Sequence, residues 1–239
     1  MPSLSGRCRA SDDMLRAVIF DFDGVIADSE TSHFTAFNKA LKSYGVSISR
    51  QQYFSEYLGL TDMDLLRTLV EQGILKTEPQ QVELIAENKT QIFEEMIRTG
   101  ADIIDGVADF LLMLEKNKIA KAICSGALAA EIELMLEKGK LRKYFEVIVS
   151  AEQVSKGKPA PDGFLLALEK LNKNRAESIA ANECIVVEDS HWGLEAGKAA
   201  GMHTVAVTNS YGAEELSLAE RIVDNLSELT TADLRSLCG

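Results

Sequence analysis

The stretch Ala17–Glu30, AVIFDFDGVIADSE, decides how this chain is read. Its first four residues, Ala17-Val18-Ile19-Phe20, are uniformly apolar and stop at Asp21, Asp23 and Gly24. An apolar run of this length bounded by turn residues suits a strand buried on both faces. Carboxylates at the end of such a strand are costly unless something there needs negative charge. Residues two apart on an extended segment point the same way, so Asp21 and Asp23 can face one site. A hard cation such as Mg²⁺ takes oxygen ligands of this kind, and Gly24 lets the backbone turn tightly beside a ligand. A plain acidic turn is the competing reading, since Asp and Gly are ordinary turn residues. An EF-hand loop is excluded, because its positions six and twelve hold Ile26 and Ser32 instead of Gly and Glu.

Going outward from this stretch, the pattern turns helical. Phe34, Phe37, Leu41 and Tyr44 recur at helical spacing and Gly45 can stop them. Thr61 to Asp64 forms a T-x-x-D helix start ahead of Leu65, Leu66, Leu69 and Val70, closed by Gly73. Pro79 suits a first helical turn, and Val82, Ile85, Ile92, Phe93, Met96 and Ile97 continue one face to Gly100. No strand signal interrupts Ser29 to Gly100. Beyond Asp105 strands and helices alternate. Strands are expected at Ile119–Cys124, Phe145–Val149, Cys184–Val187 and finally Thr204–Val207. Helices are expected around Val107–Leu114, Leu128–Leu136, Phe164–Leu171 and Leu194–Ala200. Alternation of this kind implies βαβ units, right-handed crossovers and a parallel sheet, an α/β fold. The change of period divides the chain into a core of residues 14–28 and 103–239 and a helical insertion of residues 29–102. Residues 1–13 read as a flexible tail without the apolar segment of a signal peptide.

Composition narrows the possible functions. The 239 residues are 46% hydrophobic, which supports a sizeable core. Lys and Arg number 25 against 37 Asp and Glu, a formal charge of −12. That balance disfavours nonspecific binding to nucleic acid or an anionic membrane, but not to a small anion that meets local charge. Cys8, Cys124, Cys184 and Cys238 form no CxxC pair or zinc spacing, which fits a reducing cytoplasm. No apolar run reaches membrane-spanning length.

Polar residues cluster at the carboxyl ends of the expected strands, where open parallel sheets bind ligands. Ser125-Gly126 ends the second, and Glu188-Asp189-Ser190 ends the fourth. Lys156-Gly157-Lys158-Pro159-Ala160-Pro161-Asp162 lies between. Each has an ordinary reading as turn, basic loop or helix cap. Taken together and in this order, they resemble the signatures of the haloacid dehalogenase-like hydrolases, in the subgroup of sugar-phosphate phosphatases and β-phosphoglucomutase. The resemblance spans Asp21 to Asp189. It implies a Rossmann-like core with an inserted helical cap. It also implies Asp21 as nucleophile and Asp23 as general acid and base. Ser125 and Gly126 would bind phosphate, with Lys158, ahead of the nearby Lys156, compensating charge. Mg²⁺ would be held by the Asp21 carboxylate, the Asp23 carbonyl and Asp189, with Glu188 ligating directly or through a water.

The implied activity is hydrolysis of a small phosphorylated metabolite, a sugar phosphate or phosphoglycolate-like ester, through an aspartyl-phosphate. Two alternatives remain: a sugar phosphomutase, and a non-catalytic protein that binds a phosphate ligand on this scaffold. Mutases of the family carry an Arg after the Gly of a cap loop. Here that loop reads Tyr57-Leu58-Gly59-Leu60-Thr61-Asp62, with no cation before Arg67. Gly59 and Thr61 are candidate cap residues. His33 matches a histidine that mutase-like members carry, and is otherwise a packing residue. His191 and Trp192 either border the site or line the sheet.

Overall fold

The computed structural model describes residues 14–58, 60–173 and 175–239. The expected tail, residues 1–13, and Gly59 lie outside the described residues. Contacts divide the chain into two units. One unit comprises the chain up to Ile26, Ile104–Ile132 and Leu141–Gly239, and it holds a six-stranded sheet. The strands are β1 (Ala17–Phe20), β2 (Ala120–Cys124), β3 (Val147–Val149), β4 (Cys184–Glu188), β5 (His203–Val207) and β6 (Arg221–Val223). Their spatial order is β3-β2-β1-β4-β5-β6 and every pairing is parallel. The chain thus winds outward from β1 in one direction and then in the other. The switch falls beside β1, the place where such sheets open a crevice at their carboxyl ends.

β1 is buried along its whole length, as its unbroken apolar run requires. Ala17 and Ile19 pack with Phe164, Leu168 and Leu171 of α7 (Asp162–Asn172) and with Ala196 of α8 (His191–Ala199). Phe20 meets Phe110 of α5 (Val107–Lys116) and Phe145 edge-on, with ring centroids 6.0 and 5.9 Å apart. Gly197 lets α8 lie close to the sheet: a Cβ there would come within 3.1–3.2 Å of Val186 and Thr204 side-chain carbons. Register then levels the strand ends. Phe20 stands opposite both Ile123 and Val187, which sets Asp21 beside Cys124 and Glu188.

The second unit, Ala27–Ile103 with Glu133–Lys140, is helical. It contains α1 (Ser29–Leu41), the single turn α2 (Arg50–Gln52), α3 (Asp62–Glu71) and α4 (Pro79–Thr99). α6 (Ala129–Lys138) is divided between the two units. Asp28 caps α1 by accepting from the Thr31 amide at 3.1 Å. Thr61 caps α3 from Asp64 N at 3.2 Å. Phe37, Leu41, Leu65, Leu66, Leu69 and Ile85 form its core. Among the described residues no helix is long and apolar enough to cross a membrane.

Four features depart from the reading of the sequence. The strand at Thr204–Val207 is not the last, because β6 adds to the edge with Val205 opposite Arg221. β3 is three residues long, and Phe145 packs against Phe20 from outside it. α2 continues into five residues of π-helix, Tyr53–Tyr57, and a last helix, α9 (Thr231–Cys238), closes the chain.

Phe20 is fully buried and joins the sheet to two aromatic neighbours. Replacing it with Ala should cost about 3–5 kcal/mol. Urea unfolding would show this as a lowered midpoint at unchanged slope; an unchanged midpoint would contradict the packing described.

Candidate active site

The levelled strand ends place three carboxylates together. One oxygen each from Asp21, Glu188 and Asp189 lie within 4.8 Å of one another, and all three residues are buried. Lys158 reaches them from the segment before α7. Its ammonium donates to Asp21 Oδ1 and to Glu188 Oε1, each at 2.5 Å. The other Glu188 oxygen accepts from Asp189 N at 2.9 Å and from Ser190 N and Oγ, both at 2.8 Å. Ser190 Oγ also caps α8, accepting from Gly193 N at 3.2 Å. A Cβ on Gly193 would fall 1.7 Å from Glu188 Oε1, so the helix can stand this close only with glycine there.

On the other side of β1, Ser125 Oγ donates to Asp23 Oδ2 at 3.3 Å and accepts from Ala127 N at 3.0 Å. Gly126 between them has open space where a Cβ would project. Gly24 takes a left-handed φ of +71°, and a Cβ there would lie 1.8 Å from Asp189 Oδ2. Ser210 Oγ donates to that same Asp189 oxygen, and Asn209 Nδ2 donates to Gly24 O at 2.7 Å. Ser210 and Asn209 escaped the sequence reading, because Thr-Asn-Ser after a strand is ordinary turn composition. His191, Trp192 and Tyr211 form an aromatic cluster in which the His191 and Trp192 ring centroids lie 3.9 Å apart.

The charges respond to this crowding. Burial pushes the Asp21 carboxyl well above the carboxylate range; Lys158 pulls it back, while Glu188, Asp23 and Asp189 add to the rise. Burial, with the negative charge of Glu188, raises Asp189 to about 7 against the pull of Ser210 and Lys158. For Lys158 burial works against the charge, but Asp21 and Glu188 outweigh it and hold the ammonium above its ordinary value. Burial lifts the adjacent Cys124 thiol to about 12, so it is an inert packing group. Three hard oxygen donors with one ammonium among them leave negative charge uncompensated. That donor chemistry fits a divalent cation such as Mg²⁺.

The remaining candidates belong to the helical unit. His33 stacks on Phe93, with centroids 4.1 Å apart, and its Nδ1 accepts from Lys89 Nζ at 2.7 Å. Burial and the Lys89 charge lower His33 to about 3, so its ring is neutral. Lys89 is 1% exposed and also donates to both Asp62 oxygens at 2.8 Å. Besides capping α3, Thr61 donates to Asp64 Oδ2 at 2.7 Å. Lys156 takes no part in the described ion pairs of the core.

The class this fold and site define is an α/β protein with a six-stranded parallel sheet and an acidic centre at its strand ends. The haloacid dehalogenase-like hydrolase family matches residues 18–207, and the chain belongs to it. It is 31% identical over 192 residues to a phosphorylated carbohydrates phosphatase of Thermotoga maritima, over 80% of this chain and 84% of that one. The structure of CbbY from Rhodobacter sphaeroides in complex with phosphate is similar at a TM-score of 0.76. Identity is 25%, covering 90% of this chain and 96% of that one. A β-phosphoglucomutase of Clostridium difficile is similar at a TM-score of 0.74 and 27% identity, covering 94% and 97%.

The raised Asp21 and Asp189 carboxyls give a signed pH dependence. Unfolded, they ionise near 4; folded without metal, Asp189 holds its proton to about 7. The folded state therefore binds more protons in that window, and its stability falls as pH rises through it. Melting in chelator should occur at a lower temperature at pH 8 than at pH 5.5, and Asp189→Asn should reduce the difference. A wild-type melting temperature that is flat or rising across that window would contradict the assignment.

Proposed function

We propose that the protein is a Mg²⁺-dependent phosphatase of a small phosphorylated metabolite, acting through a phosphorylated Asp21. As a class it is a phosphoric monoester hydrolase. The observation that carries this reading is the convergence of Asp21, Glu188 and Asp189 with Lys158 between them. The Thermotoga maritima relative, whose name gives phosphorylated carbohydrates as its substrates, supports a sugar phosphate or a comparable small ester.

The phosphate would sit against the Ser125 hydroxyl and the amides of the Gly126 turn, facing Asp21. An oxygen of Asp21 attacks phosphorus while the bond to the leaving alcohol breaks, and Asp23 gives that alkoxide a proton. Water then attacks the phosphorus of the aspartyl-phosphate, Asp23 takes its proton, and phosphate and free Asp21 result. Lys158 keeps Asp21 oriented and offsets charge throughout. Asp21, Asp189 and the Asp23 carbonyl would hold Mg²⁺, which supplies the further charge compensation that an anionic phosphate ester requires. Both Glu188 oxygens are already engaged, which favours a role in holding Lys158 over direct ligation. Substrate choice is assigned to the helical unit, residues 29–102, as the cap that the family resemblance implies.

Hydrolysis is favoured over isomerisation by the loop before α3. Among its described residues it offers no cation to a second phosphate. Asp62, which begins α3, is acidic, the Lys89 ammonium is engaged by it, and Arg67 within α3 is exposed beside Asp64 at 3.6 Å.

With Mg²⁺ the protein should hydrolyse p-nitrophenyl phosphate and release phosphate from a hexose phosphate without forming an isomer. Asp21→Asn should abolish turnover, and Asp23→Asn should lower it on the order of 10²–10⁴-fold. Unchanged turnover in Asp21→Asn would rule out the covalent step.

A further inference from the structure

We propose that Ser210 is a positioning residue for the Asp189 carboxylate, and that the segment after β5 sets the affinity of the site for its divalent cation. This rests on the reading of the metal site given above. Ser210 donates to one oxygen of Asp189, at 4% exposure a buried carboxylate among other acids. A carboxylate in that company is pushed away by its neighbours unless something fixes it. Ser210 supplies one such hold, and it occupies only the Oδ2 oxygen of Asp189.

The segment that carries Ser210 is itself fastened at successive residues. Thr208 N donates to Val223 O at 3.1 Å and Thr208 Oγ1 to Asp224 Oδ1 at 2.6 Å, which ties it to the end of β6. Asn209 bonds the Gly24 carbonyl, which ties it to the loop after β1. Ser210 then reaches the end of β4. Gly24 makes the convergence possible: a Cβ there would lie 1.8 Å from Asp189 Oδ2 and 2.9 Å from Ser210 Oγ. The serine hydroxyl is thus presented to Asp189 by two preceding residues, Thr208 and Asn209, that three hydrogen bonds anchor. Partners that orient a metal-binding carboxylate commonly change metal affinity about 10–100-fold when removed.

The test is direct Mg²⁺ binding to the substrate-free enzyme by calorimetry, on wild type, Ser210→Ala and Ser210→Thr. Ser210→Ala should raise the Kd about tenfold or more. Ser210→Thr, which keeps the hydroxyl, should stay near wild type. At saturating Mg²⁺ the Ser210→Ala turnover should return toward the wild-type value, because the hydroxyl acts through Asp189 and not on substrate. A wild-type Kd in Ser210→Ala would overturn the proposal, as would a Ser210→Thr as weak as Ser210→Ala. A wild-type enzyme that binds no Mg²⁺ would overturn the metal reading itself and this inference with it, an outcome separate from the other two.

Discussion

The structure of the core depends on the Lys158 ammonium, which bridges Asp21 and Glu188 at 2.5 Å each. Buried acids at adjacent strand ends repel one another and lose their hydration, which costs several kcal/mol per ion without compensation. A single lysine between two of them offsets part of that cost. It also fixes the orientation of both carboxylates, one at the end of β1 and one at the end of β4. The third acid, Asp189, is held by Ser210 from yet another strand end.

Why these groups meet follows from the sheet. A parallel sheet carries all its strand ends to one edge, and the register sets Phe20 level with Ile123 and Val187. Each strand therefore delivers its next polar residues to the same place. Two glycines set how closely they gather. Gly193 lets the first turn of α8 reach Glu188, and Gly24 lets the loop after β1 pass against Asp189. Larger residues at either position would collide with the carboxylates themselves. The close spacing of the acids is thus built into the backbone, and it is the same spacing that leaves charge for a cation to neutralise.

The parts of this fold that could be read in the sequence are those with a strong physical signal. β1, β2, β4 and β5 are short, mostly apolar runs that end in polar turns, the pattern of strands buried in a parallel sheet. The long amphipathic helices of residues 29–99 declare themselves by spacing and by caps such as Thr61 and Gly100. β6 has only three residues, one of them Arg221, and no period can be seen in so few. α9 begins with Thr230 and Asp233, the same capping pattern as Thr61 and Asp64, and went unread because its apolar face is short. Within the site, Asp21, Glu188 and Asp189 stand together in space because register levels their strand ends, and Lys158 reaches two of them. Ser210 was invisible because its partner is 21 residues away in sequence and its neighbours are ordinary turn residues.

On the function proposed above, the converging acids would hold a divalent ion beside Asp21. Crystals grown with Mn²⁺ test it most directly, because the ion's anomalous scattering locates it without regard to the protein. The expected result is a single strong peak touching Asp21, Asp189 and the Asp23 carbonyl, with Lys158 still bonded to Glu188. No peak at that edge of the sheet, or one bound elsewhere while the three carboxylates keep their present partners, would contradict it.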